Sequence, residues 1–371
     1  MQINRVDAFG LDLHYAHGEY VMSDGRRSSS LPSTLVRITT DDGVFGWGEV
    51  CPLGTTYLPS HAEGARAALH ELGAAILGVD PLNLYEINRL MNNALAGHGY
   101  AKSPIDIACW DISGKAMGQP VTQLLGGLAN PRFMLYEAIP LADPEQMVQQ
   151  FRERRIAGIR HFQVKIGDDP RADASRLRAI LEHVEPEDTI VADANCGWRV
   201  QDAMLALNLL LDTEPFYLEQ PCETLEDCLY VRRHTNLPMI LDEIISDAHS
   251  LLRAWHAGGL EAFNLKISKV GGLTNARFMR DLAQRLGLRV TLEDTWGGDV
   301  TTAAVSHLAA STSPETLFTV SFMNDWVLDH VAGHNPRSDA GWGQAPTAPG
   351  LGIDVNVDLL GEPLFTLQLN S

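Results

Sequence analysis

Five short apolar segments of this chain each end in a side chain that can carry charge in a reaction. They are residues 161–165, 189–193, 216–219, 239–242 and 263–266, and they end in Lys165, Asp193, Glu219, Asp242 and Lys266. Three carboxylates brought together make a site for a hard divalent cation. Two lysines across that site make a pair of proton carriers. The residue types therefore indicate metal-assisted proton transfer, provided that the fold brings the five segment ends together.

The spacing of these segments predicts the fold that would do so. The five terminal residues are 28, 26, 23 and 24 positions apart. A parallel strand and its return helix need about that much chain, so the segments are predicted to be consecutive βα units. Residues 133–138, 289–294 and 317–320 would supply strands one, seven and eight. The fold class is therefore α/β, a TIM-type (β/α)7–8 barrel whose C-terminal strand ends meet at one mouth.

We predict that two further parts flank this barrel. Residues 1–60 alternate as strands and turns, and residues 62–125 change to helical periodicity. Residues 1–128 are therefore predicted to form an N-terminal α+β capping domain, and residues 129–345 the catalytic barrel. The βα rhythm stops after about residue 345. We expect residues 346–371 to form a tail that packs back on the capping domain.

The three carboxylates would end barrel strands three, four and five. Neighbouring strands lie about 4.8 Å apart, so Asp193, Glu219 and Asp242 can reach one ion. Oxygen ligands favour Mg²⁺, with Mn²⁺ as a second candidate, over zinc. The alternative is that each acidic residue caps the helix after its strand, but three in successive units favour the metal site. Asn195 and Glu243 follow closely and are expected to support these ligands or the local structure.

The two lysines would end strands two and six, on opposite sides of the metal-bearing strands. Removing a proton next to a carboxylate creates an enediolate, whose charge a divalent cation offsets. Burial and a nearby cation lower a lysine pKa, so Lys165 and Lys266 could exchange the proton on opposite faces. The alternative is that they only form ion pairs at the barrel rim. Lys269 is expected to be a structural or electrostatic neighbour.

Composition excludes several classes of partner. The formal net charge is −19, which disfavours binding to phosphate backbones, so no nucleic-acid partner is expected. No apolar run approaches 18 residues, so no membrane span is expected. The N-terminus lacks the apolar stretch of a signal peptide, and the five cysteines form no CxxC pair. These features predict a cytoplasmic enzyme.

Several short sequence motifs, and not only single residues, resemble those of a known family. They are Trp47-Gly48-Glu49, residues 103–111, residues 124–127, residues 164–167, Asp193-Ala194-Asn195, residues 218–221, Leu241-Asp242-Glu243 and residues 266–273. With them, essentially the whole chain resembles the enolase superfamily, in its muconate lactonizing enzyme/mandelate racemase-like branch. The resemblance implies a Mg²⁺ site, a lysine base and a homo-oligomer. One departure is Gln163, since the family often has Lys-x-Lys at strand two, and the usual supporting role of that position is therefore in doubt.

Residues 47–61 and 294–299 are similar to segments of 4-hydroxyproline betaine 2-epimerases, and residues 97–104 to cis-3-hydroxy-L-proline dehydratases. The resemblance implies a small carboxylate substrate with a cationic nitrogen. Asp294 could pair with an ammonium, and aromatic rings could face a quaternary nitrogen. The candidate rings are Tyr57, Trp296, Phe322 and Trp326, each of which could equally belong to the core. A Gly- and Ser-rich loop at residues 18–30 is expected to close over the mouth.

The sequence therefore predicts a Mg²⁺-dependent epimerase or racemase of a proline betaine or a similar amino-acid derivative. The first alternative is a cis-3-hydroxyproline dehydratase that uses the same site, and dipeptide epimerisation is disfavoured by the aromatic residues. A non-catalytic metal- or betaine-binding barrel is the alternative from another class, and the two lysines count against it. Fold alone does not decide between these functions.

Overall fold

An antiparallel sheet and three long helices form the N-terminal part of the molecule. The computed structural model describes residues 1–369 (for Asp24, the backbone alone). The strands here are β1 (Ile3–His14), β2 (Tyr20–Val21), β3 (Arg27–Ser28), β4 (Ser30–Thr40) and β5 (Phe45–Val50). The helices are α1 (Ala62–Ile76), α2 (Leu84–Ala94), α3 (Gly99–Met117) and α4 (Val121–Leu124), and a 3₁₀ turn spans Ser23–Gly25. β4 and β5 form the hairpin that the alternating pattern predicts.

Eight parallel strands, each adjacent to its neighbours in sequence, form the barrel. The short β6 (Phe133–Met134) precedes them. The barrel strands are β7 (Tyr136–Ile139), β8 (His161–Lys165), β9 (Thr189–Asp193), β10 (Tyr217–Glu219), β11 (Met239–Leu241), β12 (Ala262–Lys266), β13 (Arg289–Glu293) and β14 (Leu317–Val320). A parallel bridge from Leu135 to Val320 joins the first strand to the last. The predicted barrel is therefore confirmed.

Helices cover the outside of these strands, as a parallel sheet buried on both faces requires. They are α5 (Pro144–Ile156), α6 (Pro170–Leu181), α7 (Val200–Asn208), α8 (Leu225–Arg233), α9 (Ala248–His256), α10 (Ile267–Val270), α11 (Leu273–Leu286) and α12 (Asp299–Ala310). Every residue of β8 and β12 is buried. No helix within residues 1–369 has the length and apolar character needed to cross a bilayer.

The C-terminal segment returns to the other end of the chain. Two 3₁₀ turns, Met323–Trp326 and Val357–Leu359, accompany the strands β15 (Trp342–Gly343) and β16 (Phe365–Gln368). β16 pairs with β1 in the N-terminal sheet, and β15 pairs with β6. Residues 133–134, which were predicted to begin barrel strand one, therefore lie outside the barrel. The aromatic ring of Phe133 instead packs against Phe322 at 5.9 Å.

Glu49 of β5 joins the N-terminal sheet to the barrel. One carboxylate oxygen accepts hydrogen bonds from the backbone N–H of Gly298 and the hydroxyl of Ser33, and the other accepts from the N–H of Thr301. A carboxylate from one part of the molecule thus caps the first turn of α12 in the other. Gly48 beside it has no room for a side chain, because a Cβ would lie 1.8 Å from the carbonyl oxygen of Pro104. The Trp47-Gly48-Glu49 motif is thus a structural junction.

Replacing Glu49 by alanine is expected to destabilise the protein by about 3 kcal/mol, because three buried donors lose their acceptor. Thermal unfolding followed by tryptophan fluorescence would measure this as a lower midpoint. Glu63 is the matched control, since its side chain is largely exposed and pairs with Arg66 on the same helix. Glu63→Ala should change stability by less than about 0.5 kcal/mol. Equal midpoints for Glu49→Ala and the wild type would contradict the capping role.

Candidate active site

Strand register aligns four of the five segment ends with a neighbouring strand end. Lys165 of β8 is the register partner of Asp193 in β9, and Asp193 is the partner of Glu219 in β10. On the other side, Lys266 of β12 pairs with Glu293 of β13. Side chains of a strand alternate between its two faces, so register partners at strand ends project to the same side. Asp242 directly follows β11 and contacts Lys266. The five segment ends therefore meet at the barrel mouth.

Each of the two strand-end lysines is held by carboxylates. Lys165 Nζ lies 2.5 Å from Asp193 Oδ2. Lys266 Nζ contacts Asp242 Oδ2 and lies 2.7 Å from Glu293 Oε1. Lys269 Nζ lies 3.0 Å from the other Asp242 oxygen. The lysines are thus on the two sides of the carboxylate group, as a pair of proton carriers requires.

These contacts shift the pKa values of both lysines in the direction opposite to the one expected. Burial by itself lowers the pKa of Lys165, but the carboxylates, Asp193 first among them, outweigh burial and raise that pKa above its usual range. The pKa of Lys266 is also raised, because Asp242 and Glu293 outweigh burial. The lysine pKa values were expected to be lowered. The difference arises because the negative charge of the neighbouring carboxylates outweighs the effect of burial at both lysines.

Glu219 has neutral partners instead. Gln163 Nε2 donates to both carboxylate oxygens at 3.0 and 3.2 Å, and Asn264 Nδ2 donates to one of them at 2.7 Å. Burial raises the pKa of Glu219 well above its usual range, and repulsion from Asp193 and Asp242 adds to this effect. This is the environment in which a bound cation would relieve unfavourable charge most strongly.

The carboxylates at the barrel mouth have the chemistry of a divalent-cation site but not its present arrangement. Within residues 1–369 no group of three or more acidic, histidine or cysteine side chains is arranged so that it could hold a metal ion. Asp193 and Asp242 contact Lys165 and Lys266 instead. The chemistry of the donors nevertheless fits Mg²⁺. Beside the three carboxylates, Asn195 Oδ1 and Glu243 Oε2 are buried oxygens without a hydrogen-bond donor among the described residues. An excess of buried acceptor oxygens is the composition that a hard cation site requires.

The backbone turns sharply directly after two of the carboxylates. Asn195, Cys196 and Gln220 have positive φ angles of 42°, 65° and 34°. Such strained conformations in non-glycine residues cluster at functional sites. Asn195 donates its N–H to Asp193 and its side-chain amide to Glu243, while Gln220 Oε1 accepts the N–H of Asp242. These turns therefore fix the positions of the candidate ligands.

A narrow cavity opens above these groups, and aromatic side chains form much of its wall. Of the residues predicted to bind substrate, Tyr57, Asp294, Trp296 and Trp326 line it, whereas Phe322 packs in the core. The ring centroids of Trp296 and Trp326 are 5.7 Å apart. The carboxylate of Asp294 is held inside the protein by Ser268 and the N–H of Thr295. Its pKa is raised to about 6, mainly by burial.

The loop at residues 18–30 contributes to the same cavity. Tyr20 and Met22 are buried and line it, and the Tyr20 ring contacts Trp296 at 5.1 Å. Arg26 and Ser23 reach from this loop to the carbonyl oxygen of Asn195. Trp296 Nε1 is buried without a hydrogen-bond partner among residues 1–369, so an acceptor on a ligand could use it.

Sequence reasoning missed three polar residues of the site. Glu293 pairs with Lys266, the hydroxyl of Tyr136 donates to Glu293, and Asn264 donates to Glu219. Glu293 ends a barrel strand, so the rule that selected the other carboxylates could have selected it as well. Asn264 and Tyr136 lie deeper in the barrel, and nothing in the local sequence distinguishes them from core residues.

Comparison with known proteins was consistent with this geometry. Residues 20–126 match the model of the mandelate racemase/muconate lactonizing enzyme N-terminal domain, and residues 146–359 match the enolase C-terminal domain-like model. The chain is 44% identical to a cis-3-hydroxy-L-proline dehydratase from Roseibium aggregatum, over 98% of this chain and 99% of that protein. It is 29% identical to an N-succinyl-L-Arg/Lys racemase from Bacillus cereus, over 98% of both chains.

A solved structure is similar over almost the whole length. The magnesium complex of a mandelate racemase/muconate lactonizing enzyme from Roseovarius nubinhibens ISM has a TM-score of 0.95 and 36% identity, covering 99% of this chain and all of that one. Family, fold and catalytic class therefore agree with the interpretation of the sequence. The chain belongs to the enolase superfamily, in its mandelate racemase/muconate lactonizing enzyme branch, and is an enzyme of that superfamily.

Proposed function

We propose that this enzyme removes the proton α to the carboxylate of a cyclic amino acid, with Mg²⁺ as its cofactor. The observation that carries the proposal is the placement of Lys165 and Lys266 on opposite sides of the three-carboxylate group, at the floor of an aromatic-walled cavity. A non-catalytic binding protein has no need of two lysines in these positions.

Asp193, Glu219 and Asp242 would hold the cation, and Asn195, Glu243 and Lys269 would keep two of them in place. When bound, Mg²⁺ supplies positive charge that stabilises the enediolate form of the substrate. Gln163 and Asn264 would orient Glu219 by donating to it. Mn²⁺ is a second candidate, because it accepts the same oxygen ligands.

The lysines would divide the proton transfers between the two faces of the α-carbon. A lysine on one side takes the α-proton, and the lysine on the other side is placed to deliver a proton. Enclosure by the loop at residues 18–30 and the aromatic wall excludes water from this exchange. The aromatic faces of Trp296 and Trp326 suit a cationic ring nitrogen, and Asp294 adds negative charge nearby.

Dehydration of a cis-3-hydroxyproline is our first candidate reaction, because the similarity to the Roseibium enzyme extends over both chains. In this reaction the Cα–H electron pair forms the C2–C3 double bond and the C3–O bond breaks. One lysine takes the α-proton, the other gives a proton to the departing hydroxyl, and water leaves. This order reverses the expectation from the sequence, which placed the epimerase first.

Epimerisation of a proline betaine is the second candidate, and the aromatic wall favours it. Tyr20, Trp296 and Trp326 form successive edge-to-face contacts around the cavity. Such a wall can accommodate a quaternary nitrogen, which has no N–H to donate. Dipeptide epimerisation would need room for a second residue, which the narrow cavity does not favour.

Proton NMR in D2O with Mg²⁺ would test the proposal on cis-3-hydroxy-L-proline, L-proline, proline betaine and 4-hydroxyproline betaine. Loss of the ring signals of the hydroxyl-bearing carbon in the first compound would indicate dehydration. Exchange of the α-proton together with signals of the other stereoisomer would indicate epimerisation. No exchange in any of them would reject the proposed substrate class. A homo-oligomeric state and a cytoplasmic location stay predictions.

A further inference from the structure

The two catalytic lysines differ in the partners that remain to them outside the candidate metal ligands. Lys165 contacts Asp193 and interacts electrostatically with Tyr20. Lys266 contacts Asp242 and, on another side, Glu293. Asp193 and Asp242 belong to the proposed metal set, whereas Glu293 does not. Of the two lysines, Lys266 is therefore the one with a carboxylate partner, Glu293, that would not also bind the metal ion.

Glu293 is itself rigidly held. It is only 2% exposed, and its second oxygen accepts a hydrogen bond from the hydroxyl of Tyr136. The Tyr136 ring packs edge-on against Trp326 in the cavity wall at 5.9 Å. Register pairing of β12 with β13 places Glu293 directly beside Lys266. Both oxygens of Glu293 thus have a fixed donor, one from β12 and one from β7.

This arrangement bears on where the Lys266 ammonium can lie. A lysine side chain has a flexible four-carbon stem, so its position is set by what binds its end. The oxygens of Asp242 are shared among Lys266, Lys269 and the hydroxyl of Tyr57. Glu293 Oε1, in contrast, accepts from Lys266 at 2.7 Å and from no other described group. It is the contact best suited to fixing the ammonium.

We propose that Glu293, held by Tyr136, is a positioning residue that keeps the Lys266 ammonium on its own face of the substrate α-carbon. The inference rests on the proposed function, since it presumes that Lys266 transfers a proton. Its consequence is specific to one face: steps that use Lys266 depend on Glu293 and Tyr136, and steps that use Lys165 do not.

The test first separates the two faces and then perturbs one of them. Alpha-proton exchange in D2O and product formation are measured with both stereoisomers of proline betaine and with cis-3-hydroxy-L-proline. Lys266→Ala divides these rates into those that need Lys266 and those that persist without it. Glu293→Gln should lower kcat for the first group by about 10- to 100-fold, the cost of misplacing a catalytic group by about 1 Å. KM and the second group of rates should stay within about twofold.

Tyr136→Phe provides a milder variant, because it removes only the hydroxyl and keeps the ring against Trp326. It should also lower kcat for the steps that need Lys266, but by a smaller factor than Glu293→Gln does. Asp173→Asn is a matched control for the loss of a buried acid, since Asp173 binds the N–H groups of Gly167 and Asp168 outside the cavity. Any effect of the control should fall equally on both groups of rates.

Two results would overturn the inference while leaving the proposed function intact. One is an equal loss in both groups of rates for Glu293→Gln and Tyr136→Phe, which would mean a structural role only. The other is unchanged Lys266-dependent kcat in both variants. If the wild-type enzyme exchanges and converts none of these compounds, the proposed function fails, and the inference fails with it.

Discussion

Replacing either Lys165 or Lys266 by alanine is expected to lower turnover by about 10²–10⁴-fold, the usual contribution of a positioned general acid or base. The physical reason is that each lysine is buried against the carboxylate group on its own side, where no other lysine can take its place. Lys269, the nearest additional lysine, already donates hydrogen bonds to a carboxylate oxygen and to the backbone carbonyl oxygen of Asp242. The measurement is the initial rate on the substrate identified by NMR.

The two variants should also differ in a way that a general loss of folding would not produce. With a substrate that epimerises, Lys165→Ala should keep the isotope exchange that belongs to the Lys266 face, and Lys266→Ala should keep the opposite exchange. Lys115→Ala is the control, since Lys115 pairs with Asp111 outside the cavity, and its turnover should stay within about twofold of the wild type. Full turnover in both directions by either single variant would rule out the two-lysine mechanism.

Replacing Glu219 by glutamine is expected to weaken Mg²⁺ binding by at least about 100-fold, since even a neighbour of a metal ligand typically accounts for 10- to 100-fold. Glu219 is the most informative of the three ligands to change. Asp193 and Asp242 also hold the lysines, so their replacement would disturb two functions at once. The polar partners of Glu219 are the neutral amides of Gln163 and Asn264. Calorimetric titration with Mg²⁺ would measure the change in affinity.

Activity should follow the same metal dependence. Removing the metal with a chelator should abolish turnover, and added Mg²⁺ should restore it in the wild type but only at much higher concentration in Glu219→Gln. A parallel titration with Mn²⁺ would show which ion the site prefers. Glu226→Gln is the control, because this exposed residue pairs with Arg253 at the protein surface. Unchanged Mg²⁺ affinity in Glu219→Gln would remove this residue from the metal site.

Local pattern was enough to predict the barrel and the positions of its chemical groups. Continuous apolar runs followed by a charged residue predict buried parallel strands, and β8 and β9 have the predicted bounds. β10 and β11 differ from their predicted ranges by one residue. An apolar segment and the charged residue that ends it are adjacent in sequence, so both can be recognised without knowing the fold.

The assignment of substrate contacts depended on distant residues and was harder to predict. Phe322 ends in the core against Phe133, because residues 133–134 leave the barrel to pair with β15. The carboxylate of Asp294 is bound by Ser268 and Thr295. Gln163, an apparent departure from the family pattern, donates to Glu219. Apart from the contact between Asp294 and its neighbour Thr295, each of these contacts is made with a residue that is distant in sequence.

The sequence by itself was enough to place Lys165, Asp193, Glu219, Asp242 and Lys266 at or directly after the ends of barrel strands, and hence at one mouth. Only the tertiary structure decided which neighbouring carboxylate faces Lys266. Glu293 is the last residue of β13, and Asp294 directly follows it. The register of β13 against β12 turns Glu293 towards Lys266 and leaves Asp294 to bind Ser268. A register is a relation between two strands, so neither strand's sequence contains it alone.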